Sequence, residues 1–229
     1  MRALFISGSI GLGHAGRDLS IARELRKLRP DVEIEWLAGE PATGQLAAAG
    51  ETLLPECKAF VETGIAEGNA GAFSLNIVAY ATRAALSWAR VAWTVLRLVR
   101  ERHYDLVIGD ETYELAVAFA VRRSLKKVPW VVIYDFFGLD AMSGNSAERL
   151  IVYGLNRLWG GGPRGKRPPF DLALFVGEPD DVAARPLGTG LPNRREYAVR
   201  HFELVGYILG FDAAATLAER SRLREQLGL

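Results

Sequence analysis

Cysteine is nearly absent from this chain of 229 residues: Cys57 stands alone. No disulfide can form within it, and packing must hold the fold, as in a reducing compartment. Net charge is nearly absent too. Lys and Arg number 28 against 27 Asp and Glu, a formal charge of +1, which excludes the one-signed electrostatic footprint of a nucleic-acid binder. Histidine is scarce. His14, His103 and His201 show no metal-ligand spacing with one another or with Cys57, so no metal is expected. The phosphate loop G-x-x-x-x-G-K-[ST] and the nucleophile elbow G-x-S-x-G are missing. No internal repeat or low-complexity tract is present, and the start MRALFISG turns to glycine too soon for a signal peptide.

What the chain does have is alternation. Residues 3–6 form a continuous apolar run, followed by glycines at 8, 11, 13 and 16 and then by Leu19, Ile21, Ala22, Leu25 and Leu28 at mostly helical spacing. This predicts a buried strand, a glycine-rich loop, and a helix starting near Arg17 or Asp18. Further strands are expected at 32–38, 53–55, 104–109, 130–136, 170–176 and 202–208, and helices at 74–102, 112–127, 147–159 and 216–227. The stretch 186–195 reads as loop. Alternating strands and helices argue for an α/β fold, a Rossmann-like, doubly wound parallel sheet. Ligands of such sheets bind at the C-terminal ends of the strands.

Three groups are expected along that edge. The first is the loop holding Gly11, Gly13 and Gly16, with Arg17 after it. Unpaired N–H groups at a helix start favour an anion, glycines let a phosphate approach, and Arg17 adds a charged donor. Asp18 opposes a phosphate there. The three glycines spell G-x-G-x-x-G, the dinucleotide fingerprint, but the loop is longer than that motif requires and Glu40 is poorly placed for a ribose. The second group is His14, for which two readings stand: a residue that caps or packs the loop, or a functional imidazole. The third comprises Asp110, Glu111 and Asp135 at strand ends. Asp110 is either a helix N-cap or a catalytic or orienting carboxylate. Asp180 and Asp181, near Glu178, read as a turn rather than a cation site.

In the 74–102 helix, Arg83, Arg90 and Arg97 recur seven apart. Val78, Ala81, Ala85, Trp88, Ala92, Val95 and Val99 make the face to be buried. Arginine at that spacing excludes a membrane span. A core helix with a solvated arginine stripe explains the pattern; a helix lying on an anionic membrane surface is the alternative.

The stretch FISGSIGLGHAGRDLSIARELRKLRPDVEIEWLAG resembles the opening of the GT-B glycosyltransferases, in the branch holding the GlcNAc transferase of lipid II synthesis and the diacylglycerol glucosyltransferases. YDLVIGDE is similar to a later strand of that family. FELVGYILG, followed by a polar helix and LREQLGL, resembles the segment before its second domain. The resemblance implies one of the two domains of a GT-B fold, with residues 1–210 as a Rossmann-like acceptor-binding domain. Residues 211–229 would be a linker helix leading to a C-terminal donor domain that this sequence lacks. It also implies a hexosyltransferase that needs a second domain or partner subunit, as in the split eukaryotic GlcNAc transferase of lipid-linked oligosaccharide synthesis. The donor would be a nucleotide sugar, UDP-linked, acting as co-substrate with no cofactor. The acceptor would be a sugar or lipid. The expected place is the cytoplasm, with peripheral contact at the inner membrane face through 74–102. In this reading His14 and Asp110 are catalytic, Gly11, Gly13, Gly16 and Arg17 face the diphosphate, and Glu111 and Asp135 bind substrate. The rival classes are an NAD(P)- or flavin-dependent oxidoreductase using the GLGHAG loop, and a non-catalytic subunit that binds an acceptor or recruits to the membrane.

Overall fold

The computed structural model describes residues 1–8, 12–59, 77–141 and 144–228, with side chains for all of these except 59 and 77–86. Among them seven parallel strands form one sheet. They are β1 (Arg2–Ile6), β2 (Glu33–Leu37), β3 (Thr52–Leu53), β4 (Leu106–Asp110), β5 (Trp130–Tyr134), β6 (Leu172–Phe175) and β7 (Glu203–Leu204). Their order is β3-β2-β1-β4-β5-β6-β7. The chain winds outward from β1 to β3, crosses over, and winds the other way from β4 to β7. The reversal lies between β1 and β4, where sheets of this kind open a crevice.

Helices α1 (Leu12–Leu28), α2 (Ala42–Ala48), α3 (Ile77–Arg102), α4 (Tyr113–Val121), α5 (Ser146–Trp159), α6 (Arg194–His201), α7 (Ala213–Ala218) and α8 (Arg220–Gln226), with three short 3-10 helices, complete the described elements. Successive strand residues point to opposite faces, and the core divides accordingly. Ala3 and Phe5 of β1 join Ile34, Trp36, Ile108 and Ile133 under α1 and α2. Leu4 and Ile6 join Val107, Trp130, Val132 and Tyr134 under α3, α4 and α6. Both faces are covered, which is why the strands read as unbroken apolar runs. The expected doubly wound α/β sheet is the observed one.

The buried face expected for α3 is found where side chains are described: Ala92, Val95 and Val99 lie in the core and Trp88 packs against it. Arg97 is not a bare charge. It pairs with Glu101 at 3.1 Å and lies 5.4 Å from the Trp93 ring centroid. No helix among the described residues is long and apolar enough to cross a membrane.

Several boundaries differ from expectation, and the strands expected at 53–55 and 202–208 are the shorter Thr52–Leu53 and Glu203–Leu204. Helix α1 begins at Leu12, so Gly13, His14 and Gly16 are helical rather than loop. The 112–127 helix ends at Val121, and Arg122 is extended before a short 3-10 turn at Arg123–Leu125. The stretch 186–195 ends in a helix start. Asn193 caps α6 by accepting hydrogen bonds from the N–H groups of Arg195 and Glu196. The closing helix is two short ones, α7 and α8, both exposed.

Asn156 of α5, fully buried, ties this helix to two loops. Its Oδ1 accepts from the Leu139 N–H, and its Nδ2 donates to the carbonyls of Leu139 and Leu187, all at 2.8 Å. Removing it leaves three backbone groups without partners, a loss of about 2–4 kcal/mol. Asn156→Ala is expected to lower the melting temperature by about 5 °C or more. An unchanged melting curve by circular dichroism would show that the loops do not depend on it.

Candidate functional site

The first turns of α1 and the ends of β1, β4 and β5 converge at the reversal of strand order. His14, Arg17 and Asp18 stand at i, i+3 and i+4 and therefore share one helix face. That face meets Ser7 after β1, Asp110 as the last residue of β4, Glu111 after it, and Asp135 after β5. Asp110 is not the cap of α4. Thr112 occupies that position, and the Asp110 carboxyl, 1% exposed as a residue, turns toward α1 instead.

Asp110 holds two donors. Its Oδ2 lies 2.9 Å from His14 Nδ1, and its Oδ1 accepts from Arg17 Nη2 at 2.5 Å. The same Nη2 lies 2.8 Å from His14 Nδ1. Arg17 Nη1 donates to Asp135 Oδ2 at 2.8 Å. An imidazole nitrogen facing a carboxylate carries the proton. A proton placed on Nδ1 serves Asp110 Oδ2 and leaves the Arg17 hydrogen to Asp110 Oδ1, an assignment that frees Nε2. The lone pair on Nε2 remains. Glu111 Oε2 and Asp135 Oδ2 each lie 3.9 Å from Nε2. The His14 side chain is 14% exposed.

The other carboxyls differ sharply in charge state. Burial, and then the hydrogen bond to Asp135, push Glu111 up to about 10. Asp135, against the opposing effect of its own burial, is held below the usual carboxylate range by Glu111 and Arg17. The pair thus keeps one proton, on Glu111. Asp18, wholly buried, is raised well above the usual range by burial and then by the Asp110 charge. Arg17 stays charged: burial opposes this, but Asp110 and Asp135 outweigh it.

Glu111 also has a strained backbone, with φ 53°. A side chain with a Cβ pays about 1–2 kcal/mol to sit there. The strain is held by two bonds: the Glu111 N–H donates to the Ile133 carbonyl at 2.9 Å, and the Glu111 carbonyl accepts from Tyr113 N–H at 2.8 Å. It turns the side chain beside Asp135.

Ligand atoms of His14, Glu111 and Asp135 lie within 4.8 Å of one another, a spacing that a divalent cation can bridge. Arg17 already sits on Asp135 Oδ2 and Glu111 holds a proton, so the charge a cation would supply is provided from within. A diphosphate would meet Asp110 and Asp135 at this point, with both Arg17 Nη atoms already engaged. The structure thus brings His14, Arg17, Asp110, Glu111 and Asp135 together. Gly13 lies in the first turn of α1. Gly16 lies one turn on, where an added Cβ would come within 3.4 Å of Gln45 Nε2. Gly11 lies outside the described residues. Asp180 and Asp181 form a 3-10 turn with Pro179. Ser7 was not anticipated as part of the site, and Asp18 was read only as opposing a phosphate. The i, i+4 spacing of His14 and Asp18 was the signal, hidden by starting the helix five residues late.

No protein family model matches the chain, and no curated protein matches it. Several solved structures do. MurG of Acinetobacter baumannii is 13% identical, with 77% of this chain and 41% of that chain covered and a TM-score of 0.41. The spinosyn rhamnosyltransferase SpnG, solved with spinosyn aglycone, is 15% identical over 80% and 47% at 0.44. Anabaena Alr3699/HepE, solved with UDP and glucose, is 16% identical over 100% and 50% at 0.41. The chain spans about half the length of the solved proteins it matches.

The charge state of Glu111 sets a stability test. In the unfolded chain a Glu loses its proton near 4.3, whereas in the fold Glu111 keeps it up to about 10. Between these values the folded state binds a proton that the unfolded state lacks, so stability falls as pH rises. Glu111→Gln still donates to Asp135 and does not ionise. It is expected to melt about 2 °C or more above the native chain at pH 8.5, with the gap closing toward pH 4.5. A gap that is the same at both pH values would show that Glu111 ionises normally.

Proposed function

We propose that the chain is the acceptor-binding half of a nucleotide-sugar-dependent glycosyltransferase, and that His14 is the base for the acceptor hydroxyl. One observation carries the reading: His14 is held through Nδ1 by buried Asp110, with Nε2 3.9 Å from the carboxyl oxygens of Glu111 and Asp135. A hydroxyl is a weak nucleophile until a base removes its proton, and imidazole has a natural pKa suited to neutral pH. In the reaction, the acceptor oxygen bonds to the anomeric carbon of the donor while its proton passes to His14 Nε2. The bond from that carbon to the nucleoside diphosphate breaks, and its electron pair leaves with the phosphate.

Asp110 orients the ring and stabilises the imidazolium that forms. Asp135 and the proton-bearing Glu111 flank the position of the hydroxyl, one able to accept from the acceptor and the other already donating to Asp135. N–H groups in the first turn of α1, at Gly13 and its neighbours, face the edge of the diphosphate. Its main binding site would belong to a second domain or subunit that closes over residues 1–210 through the 211–229 segment. The resemblance of the opening stretch to the GT-B family supports this division, and its branch points to a lipid or sugar acceptor at a membrane face with a UDP-linked donor. The oxidoreductase reading is less favoured, because Asp110, Asp135 and Glu111 crowd the crevice where a dinucleotide pyrophosphate would lie.

Nucleoside diphosphate release across a panel of nucleotide sugars and acceptors, measured on the protein together with its donor-binding partner or domain, is the direct test. His14→Ala is expected to lower turnover at least about a hundredfold. Near-normal transfer by that variant would sink the assignment. Tight binding of NAD(P) by the native chain would favour an oxidoreductase instead.

A further inference from the structure

We propose that Arg17 is a positioning residue and a charge counterweight: engaged on both carboxyls that flank His14, its guanidinium opposes a second positive charge on the imidazole and so keeps the Nε2 lone pair free to take a hydroxyl's proton. The proposal deepens the reading of His14 as base and rests on it.

His14 and Arg17 stand one turn apart on α1 and so share a helix face. The Arg17 side chain is 9% exposed. Nη2 donates to Asp110 Oδ1 at 2.5 Å, Nη1 donates to Asp135 Oδ2 at 2.8 Å, and Nη2 lies 2.8 Å from His14 Nδ1. The same two carboxyls face the ring. Asp110 Oδ2 is 2.9 Å from Nδ1, and Asp135 Oδ2 is 3.9 Å from Nε2. The guanidinium therefore reaches from the carboxyl at one ring nitrogen to the carboxyl at the other. With Nη1 and Nη2 engaged and Nε buried without a partner, its charge is directed into the site.

Among the described residues, charged and titratable groups face the imidazole from three elements. Asp110 ends β4 and Glu111 follows it, with Oε2 3.9 Å from Nε2; Asp135 follows β5; Arg17 lies on α1. After β1 the ring meets Gly8, which has no side chain, and an added Cβ there would lie 3.6 Å from His14 Cγ. Arg17 is the one cation in this set, and a guanidinium does not lose its proton.

A base of this kind has to be unprotonated when the acceptor arrives and protonated once the acceptor has reacted. Carboxyls on both sides of the ring favour the second state. Left to them alone, the ring would hold its proton to higher pH, and fewer molecules would offer a lone pair at Nε2. A fixed positive charge 2.8 Å from Nδ1 opposes that proton whichever ring nitrogen carries the hydrogen, and a nearly buried charge is little screened by salt. Arg17 thus balances two states that the carboxyls would otherwise tip one way.

Proton–nitrogen spectra of the chain labelled with nitrogen-15 in histidine follow the His14 ring through its titration. No substrate is needed, so the result stands apart from whether His14 serves a transferase. Arg17→Met, similar in length but neutral, is expected to raise the His14 midpoint by about one pH unit or more relative to the native chain. Arg17→Lys keeps the charge without the two-pronged contact and should stay within about half a unit of the native midpoint. A midpoint that moves alike in both variants would show that Arg17 acts by shape, and one that stays put or falls in Arg17→Met would show that there is no counterweight. Either result overturns the proposal. Should Arg17→Met fail to fold, Arg17→Gln replaces it, with the same rise expected. Should neither neutral variant fold, the side-chain nitrogen signals of Arg17 in the native chain decide. Displacement with the same midpoint as the ring upholds the proposal, and signals that ignore the ring's titration overturn it.

Discussion

The carboxylate of Asp110 joins the two halves of the molecule. It ends β4, the first strand of the second half of the sheet, and its partners His14 and Arg17 sit on α1, the first helix of the first half. The connection crosses the point where the strand order reverses, so the same contacts that pin α1 to the sheet also shape the crevice. Arg17 extends the tie to Asp135 beyond β5. Three strand ends and one helix are thereby fixed by a handful of polar atoms, most of them away from water. In so dry a setting charge-assisted hydrogen bonds are strong, and an unmet partner is costly. The site is therefore a rigid part of the fold rather than a decoration on a loop.

Much of the sheet was legible because its strands are buried on both faces and so appear as apolar runs bounded by turns. The strand ends were legible for the same reason: Asp110, Glu111 and Asp135 each follow a run that stops at a carboxylate. Start positions of helices were not. Leu12 to Gly16 contains two glycines, which lower helix propensity, and the eye places the helix after them. Contacts of that segment with Asp110 override the local preference. In α6 the signal was present and passed over, since Asn193 followed by Glu196 three residues later is a capping pattern, here with the Asn193 side chain bonding the first N–H groups. Val121 ends α4 early for no reason that its neighbours Arg122 and Arg123 announce.

Protonation could not be read from the sequence at all. Asp18, Glu111 and Asp135 are the same chemical group, or nearly so, and nothing in their order distinguishes a proton-bearing carboxyl from a charged one. Burial and adjacency make that distinction. Glu111 shows how much is arranged for it: a backbone conformation disfavoured for any residue with a Cβ is held by bonds to Ile133 and Tyr113, and its effect is to lay one carboxyl beside another.

The count of charges in the crevice limits what it can hold. Glu111 holds a proton, Asp135 and Arg17 are charged, and burial raises Asp18 well above the usual carboxylate range. Beside the imidazole the carboxyls of Asp110 and Asp135 thus outnumber the one guanidinium, that of Arg17. Such a pocket suits a hydroxyl losing a proton to Nε2, because the imidazolium that forms gains from the residual charge. It does not suit a diphosphate, whose negative charge adds to that of Asp135 with the Arg17 donors already engaged. In a glycosyl transfer the two needs are opposed, since the acceptor's base wants a negative setting and the leaving group a positive one. Placing them on separate walls of a cleft resolves the conflict. If the chain serves such a transfer, as proposed, its electrostatics assign it the acceptor's wall and leave the positive partners of the leaving group to the other.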